Sequence, residues 1–169
     1  MNKINGVVIG TVKSLDDPQQ LGRIEVYFPW LSDTNKSHWA RVATLMAGSG
    51  RGSWFMPEKD DEVLVAFEQG DTRFPYIVGF LWNGQDKPPR TDPHKRLIRS
   101  VNGHEIEIYD PNISSGDRGY IRLKDAHGNL IELANGRITI SSKSGVEISA
   151  PSVAINGRPV ALTIPGTPI

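Results

Sequence analysis

The sequence contains no cysteine, and its charges balance, with 19 Lys and Arg residues against 19 Asp and Glu residues. The lack of cysteine excludes disulfide bonds, thiolate metal sites, iron–sulfur clusters and a cysteine nucleophile. A net charge of zero removes the long-range positive field that most proteins use to bind nucleic acid or anionic membranes. We therefore expect neither nucleic acid nor a membrane surface as a stable partner.

Long apolar runs are equally scarce. The longest uncharged stretches, residues 74–85 and 159–169, are well short of the roughly 20 residues that a membrane-spanning helix needs. Residues 1–12 lack the length and the cleavage pattern of a secretory signal. The sequence predicts neither stable residence in a membrane nor export by the general secretory route.

Turn-forming residues are abundant, with 17 Gly and 12 Pro, and the apolar residues between them recur with a period of two. This alternation is typical of β-strands with one buried face, so we expect an all-β fold. Five such segments within residues 1–85 fit a small five-stranded Greek-key barrel. They are residues 7–12, 23–28, 39–44, 62–68 and 76–82.

A different pattern follows the barrel. Residues 83–94 are rich in proline and poor in apolar residues, which predicts an extended linker, placed here at 86–103. Across residues 104–169 short aliphatic pairs recur about every eight residues, with turn signals such as Asn-Gly between them. The pairs are Ile106/Ile108, Ile121/Leu123, Ile131/Leu133, Ile138/Ile140, Val146/Ile148 and Val153/Ile155.

A single copy of this repeat is too thin to be stable. Two inward side chains per strand stabilise by roughly 1.5–3 kcal/mol each when fully buried, while ordering the backbone costs roughly 1–2 kcal/mol per residue. An intertwined β-prism of several chains, three being the simplest number, would pool the aliphatic residues on one axis. Periodicity does not count the chains, and a single-chain meander packed on the barrel is the alternative. The residues predicted to face the axis are Ile121, Leu123, Ile131, Leu133, Ile138, Ile140, Val146, Ile148, Val153 and Ile155.

No pattern in the sequence indicates a catalytic or metal site. His104-Glu105 begins like a zinc-protease helix, but the alternation that follows it predicts a strand. The glycine-rich run 48–52 lacks the spacing of a phosphate-binding loop and is expected to be a flexible loop between strands. The carboxylates show no spacing that selects a glycosidase pair, and no serine-nucleophile motif occurs. We expect no enzymatic activity, no cofactor and no metal.

The aromatic residues leave one alternative function open. Small barrels of this kind often bind single-stranded nucleic acid or glycans by stacking on aromatic side chains. Packing in the core or at an interface agrees better with the zero net charge. The residues concerned are Tyr27, Phe28, Trp30, Trp39, Trp54 and Phe55.

Residues 39–83 carry a specific family resemblance. They read WARVATLMAGSGRGSWFMPEKDDEVLVAFEQGDTRFPYIVGFLWN, which resembles the OB-fold domain of spike proteins from contractile injection systems. These are the spikes of contractile phage tails, the VgrG proteins of type VI secretion and the spikes of extracellular phage-tail-like particles. The resemblance covers about residues 1–85, and the repeat at 104–157 resembles the trimeric β-helical needle that follows this domain in the family.

The resemblance implies a structural, non-enzymatic homotrimer that forms the central spike and punctures a target envelope. It implies a hub at the barrel end, expected to be a separate protein because this chain begins at the barrel, and a PAAR-type tip protein at the other end. Cargo effectors are partners that the resemblance allows. Assembly in the cytoplasm would precede incorporation into a virion or a phage-tail-like particle, extracellular or anchored at a membrane. The tail residues expected to dock the tip protein are Val160, Leu162, Ile164 and Ile169.

Asp60 occupies a position where the family usually has glycine. Aspartate tolerates a left-handed backbone better than most residues do. We therefore expect a turn with positive φ at Asp60.

Overall fold

A computed structural model of the chain describes residues 3–30, 37–112, 114, 116–156 and the backbone of 158–159. The regular structure there consists of β-strands with a short 3-10 turn at Glu68–Gly70. The all-β fold predicted from the alternating apolar residues is therefore confirmed. The chain divides into two compact units, Met1–Pro88 and Pro89–Ile169.

The first unit is a curled five-stranded sheet. All five strands expected from the sequence form, although the second and third are shorter than predicted. They are β1 (Val7–Ser14), β2 (Glu25–Tyr27), β3 (Arg41–Val42), β6 (Glu62–Phe67) and β7 (Pro75–Leu81), with a small hairpin of β4 (Ala47–Gly48) and β5 (Arg51–Gly52) inserted. The spatial order is β2-β1-β6-β7-β3, with β3 and β7 parallel and the other neighbours antiparallel.

The two edges of this sheet meet through Ile24 and Ala40. Ile24 precedes β2 at one edge and Ala40 precedes β3 at the other, and the two form an antiparallel bridge. The N–H of Ile24 donates to the carbonyl of Ala40 at 2.9 Å, and the reverse hydrogen bond is 2.7 Å long. This bridge joins the two edges of the curled sheet, as expected for the small five-stranded barrel that the alternating segments predict.

The core of the first unit lies inside the curl. Along β6 buried and half-buried residues alternate, because successive side chains point to opposite faces of a strand. The buried apolar residues are Val12, Ile24, Val26, Phe28, Ala40, Val63, Val65, Phe67 and Ile77. Asp60 adopts φ 74°, so the expected left-handed turn is confirmed.

The glycine-rich run 48–52 differs from the expectation of a flexible loop. Ala47 pairs with Gly52 and Gly48 with Arg51, so the run forms the hairpin β4–β5. Gly50, in the connection between the two strands, has φ 65°, which glycine adopts without steric cost. A segment whose composition suggested an unpaired loop thus forms a regular pair of strands.

The second unit is an antiparallel five-stranded meander with the order β12-β11-β10-β9-β8. Its strands are β8 (Lys95–Arg99), β9 (Glu105–Tyr109), β10 (Tyr120–Lys124), β11 (Leu130–Ala134) and β12 (Arg137–Ser141), and β13 (Ala154–Ile155) pairs with β14 (Arg158–Pro159) in a short separate hairpin. Strand β8 lies within the segment 86–103 that the sequence suggests to be a linker. Val146 and Ile148, expected to belong to a repeat strand, lie outside the strands of the structure.

Candidate functional site

Two rows of aliphatic side chains cross the meander of the second unit. Because the five strands pair in register, a residue on one strand lines up with its partner on the next. The rows lie two residues apart along each strand, so both project from one side of the sheet, which we call the aliphatic face. The first row is Ile98, Ile106, Leu123, Ile131 and Ile140, and the second is Ile108, Ile121, Leu133 and Ile138.

The aliphatic face is open in the single chain. Its most covered residue, Ile131, is still 40% exposed, and Ile138 is 69% exposed. Monomeric proteins rarely leave contiguous apolar patches larger than a few hundred Å² in contact with water. A surface of nine neighbouring Ile and Leu side chains therefore marks an interface.

The opposite side of the same sheet is polar, and its charges are paired within the chain. Glu105 is only 8% exposed. It accepts hydrogen bonds from the Arg90 guanidinium at 3.0 Å and from Arg99 at 2.9 Å. Arg122 Nε donates to Glu132 Oε2 at 2.9 Å on the adjacent strand. The carboxylates of Glu105 and Glu132 thus find their counter-charges within the chain.

Glu107 lies at the centre of that polar network and is 2% exposed. Burial raises the pKa of its carboxyl group, but the hydrogen bond from the Tyr120 hydroxyl and the charges of Lys95, Arg90 and Arg122 lower it. The net effect is a pKa below the usual value for glutamate, so the buried side chain stays ionised. The two sides of the sheet thus differ. One carries a buried network of ion pairs, and the other carries uncovered aliphatic groups beside the exposed ion pair of Arg96 and Asp110.

Six of the ten residues predicted to face a trimer axis lie together in the two rows. They are Ile121, Leu123, Ile131, Leu133, Ile138 and Ile140. Val146 and Ile148 are exposed outside the strands, Val153 is half-buried, and Ile155 lies in β13. The four residues predicted to dock a tip protein, Val160, Leu162, Ile164 and Ile169, lie outside the described residues.

The sequence prediction omitted three members of the aliphatic face: Ile98, Ile106 and Ile108. Ile106 and Ile108 form one of the repeated aliphatic pairs, so the signal was present. Ile98 lies among Lys95, Arg96 and Arg99. These charged residues interrupt the alternation of apolar residues, so the sequence does not indicate a strand there.

The first unit carries a second uncovered apolar surface, beside the hairpin β4–β5. It is a groove of about 960 Å³, which we call the hairpin groove. Trp54 and Phe55 line it and are 72% and 56% exposed, whereas Phe28 is buried and packs against Phe67 with 5.8 Å between ring centroids. The other large apolar side chains that line the groove are Leu21, Val42, Leu45, Met46, Met56, Val78 and Phe80.

His104 and Glu105 stand at the start of a strand, as the alternation predicts, and not on a zinc-protease helix. The Nδ1 atom of His104 accepts a hydrogen bond from the N–H of Ala126 at 3.4 Å. Within the part of the chain that is described, no three His, Asp or Glu side chains cluster in a way that could hold a metal ion. That part also contains no helix of the length and apolar character required to cross a bilayer.

Comparison with known proteins accounts for both units. Residues 8–82 match the family of the type VI secretion system/phage-baseplate injector OB domain, and residues 95–162 match the phage baseplate V C-terminal trimerisation domain. The chain therefore belongs to the family of phage baseplate V and type VI VgrG spike proteins. Its matched domains are structural parts of the phage baseplate or type VI apparatus, and the trimerisation domain, which contains the aliphatic face, supports a homotrimer.

Curated relatives give the same assignment. The chain is 36% identical over 141 residues to the type VI secretion system spike protein VgrG1a of Pseudomonas aeruginosa, an alignment that covers 75% of this chain and 22% of the relative. It is 34% identical over 118 residues to the type VI secretion system spike protein VgrG3 of Vibrio cholerae, covering 64% of this chain and 12% of the relative. The chain thus spans less than a quarter of the length of these two proteins.

Proposed function

We propose that this chain forms a non-enzymatic, homotrimeric central spike of a contractile injection machine. The observation that carries the proposal is the aliphatic face, because it is a two-row surface that the chain does not cover by itself. Three copies related by a threefold axis can turn these faces toward one another and bury them in a common core. The ten residues predicted from the sequence to face the axis, joined by Ile98, Ile106 and Ile108, are the proposed lining of that core.

The proposed task of the assembly is to transmit axial force. The sheath of the machine supplies the work, and the spike has to remain straight while it breaches the target envelope. A close-packed aliphatic core resists deformation. The internally paired ions of the opposite face support this role, because that face can contact water without a further partner. Stiffness of this kind requires no catalytic group.

The proposed partners follow from the two ends of such a spike. A hub is expected at the OB end, and a PAAR-type protein is expected to cap the other end through Val160, Leu162, Ile164 and Ile169. Cargo effectors are a further class of partner. The assembled particle would be a phage tail, a type VI apparatus or an extracellular phage-tail-like device, built in the cytoplasm.

Two aspartate substitutions on one strand test whether the aliphatic face forms the trimer core. Ile140 and Ser141 are neighbours on β12, both exposed in the single chain, and they project from opposite sides of the sheet. Ile140→Asp would place three charges in the shared core at a cost of several kcal/mol each, and is expected to dissociate the trimer. Ser141→Asp is expected to leave it intact. Sedimentation velocity or light scattering of the purified chain measures the mass.

The proposal fails in two ways that this experiment separates. A wild-type chain that sediments as a monomer contradicts the homotrimer itself. A trimer that survives Ile140→Asp contradicts the location of the core at the aliphatic face while leaving the trimer in place.

A further inference from the structure

The hairpin groove is a second apolar surface, and the aliphatic face does not account for it because the two belong to different units. Leu45 is 93% exposed, which makes it the most exposed large apolar residue in the described part of the chain. Trp54, Phe55, Met46 and Phe80 add further exposed area around it. Apolar surface gathered in one groove points to a partner that covers it.

The groove is held in shape by hydrogen bonds and close packing. The Thr44 hydroxyl donates to the carbonyl of Ser53 at 2.8 Å, and the N–H of Ser53 donates to the carbonyl of Met46 at 2.9 Å. A Cβ atom on Gly22 would lie 2.7 Å from Cζ3 of Trp54, so the six-membered ring of the indole packs closely against Gly22. A surface fixed in this way loses little conformational entropy when a partner binds.

The composition of the groove indicates what kind of partner it takes. Arg51 is the one charged residue among those that line the described groove. Single-stranded nucleic acid requires a positively charged track beside the stacking aromatics, and one arginine does not supply it. Interfaces with transient partners are about as apolar as the rest of a protein surface, whereas interfaces within permanent oligomers are more apolar.

The exposed area agrees with a protein interface of ordinary size. The large apolar side chains around the groove, judged from their exposed fractions, together expose on the order of 800 Å² on all their sides, which is about the area that each partner contributes to a standard interface. In a ring of three copies the contacts are heterologous, so the groove of each copy would pack against a different surface of the next copy, and all three grooves would be covered in the same way.

We propose that the hairpin groove packs against a second copy of this chain, so that the OB units contribute an interface of their own to the trimer. This inference rests on the proposed homotrimeric spike and adds a contact that lies outside the trimerisation domain. The spike would then be held together along both units of the chain.

Cysteine labelling tests the inference cleanly, since the natural sequence has no cysteine. Leu45→Cys places a thiol in the groove at a position that is 93% exposed in the single chain, so folding should be unaffected. Lys59→Cys, exposed in a turn outside the groove, is the matched control. Maleimide labelling is followed by mass spectrometry, in the otherwise wild-type trimer and in the Ile140→Asp background that dissociates it.

In the trimer we expect the thiol of Leu45→Cys to react at least about tenfold more slowly than that of Lys59→Cys, because thiol reactivity follows exposure. In the dissociated chain the two rates should become similar. Equal rates in an assembled trimer would overturn the inference while leaving the homotrimer standing. Protection that requires added oligo-dT would also overturn it, because the groove would then be open to nucleic acid. A monomeric wild-type chain would overturn both proposals.

Discussion

The hydroxyl of Tyr120 donates a 2.7 Å hydrogen bond to Oε1 of Glu107, a residue that is only 2% exposed. The other carboxylate oxygen, Oε2, has no hydrogen-bond partner among the described residues. Charge balance comes from Arg90, Lys95 and Arg122, whose nitrogens lie 3.5, 3.7 and 3.9 Å from the carboxylate. One hydroxyl group therefore orients a buried carboxylate on which three cations converge.

Tyr120→Phe is expected to destabilise the second unit by about 1–3 kcal/mol, because it leaves a buried acceptor without its donor. The pKa of Glu107 should rise at the same time, since the hydrogen bond from Tyr120 is one of the causes that lower it. Urea unfolding at a fixed protein concentration measures the stability, and the concentration has to be fixed because association stabilises an oligomer by mass action.

Tyr109→Phe is the matched control for this prediction. Tyr109 lies directly opposite Tyr120 on β9, with 5.2 Å between the two ring centroids, so the variant keeps the aromatic contact. It should unfold close to the wild-type midpoint. Equal destabilisation by the two substitutions would contradict a specific stabilising role of the hydrogen bond from Tyr120 to Glu107.

Asp17 makes the barrel sensitive to acid. Its carboxylate accepts hydrogen bonds from the Arg23 guanidinium at 2.6 and 3.0 Å and from the backbone N–H groups of Gln19 and Leu21. The bond to Arg23, with these backbone bonds, holds the pKa of Asp17 well below its usual 3.8. A depressed folded-state pKa contributes stability that is fully present above the unfolded value and is lost as the pH falls through the folded value.

Asp17→Asn should therefore lower the urea midpoint most near neutral pH, and the gap to wild type should narrow as the pH drops below about 3.8. Asp16→Asn, a substitution at the exposed neighbour, serves as the control and should leave the midpoint nearly unchanged. A gap between wild type and Asp17→Asn that stays constant down to the lowest pH would contradict the assignment of this ion pair.

Gly10 is required by a close approach between strands. A Cβ atom at this position would lie 2.3 Å from Cγ1 of Val26 and 3.1 Å from Cε1 of Phe28, both in the barrel core. Gly10→Ala is expected to destabilise the barrel by about 1–3 kcal/mol through overpacking. Thermal unfolding of the two variants measures this, and Gly84→Ala, where a Cβ would meet nothing within 4 Å, should have little effect.

The barrel could be predicted closely because buried residues alternate with less buried ones along its strands, as they do in β6 over Glu62–Phe67. Alternation does not reveal which strands are neighbours, and the Ile24–Ala40 closure depends on residues that are distant in sequence. The hairpin β4–β5 was not predicted, because the composition of residues 48–52 fits an unpaired loop as well as it fits a hairpin with a tight turn.

The aliphatic face was predicted in part. The pairs on β10, β11 and β12 are regularly spaced in the sequence and stand side by side in the sheet. Ile98 could not be found in the same way, because β8 follows a proline-rich stretch and its neighbours in sequence are charged. Its place in the first row depends on its pairing with Ile106, and register is fixed by the connection between β8 and β9 and not by the residue itself.

Asp60 holds a left-handed backbone, with φ 74°, in the turn before β6, and its N–H donates to the carbonyl of Val12 at 2.9 Å. This conformation costs an L-residue roughly 1–2 kcal/mol, and the cost is smaller for aspartate than for most residues. Asp60→Gly is therefore expected to raise the free energy of unfolding by up to about 1 kcal/mol, measured by urea denaturation. The neighbouring Lys59 is not among the residues with positive φ, so Lys59→Gly should lower stability by about 0.5–1 kcal/mol through the entropy of the unfolded chain. Should both substitutions destabilise equally, the Asp60 side chain must make a stabilising contribution that outweighs the strain in its backbone.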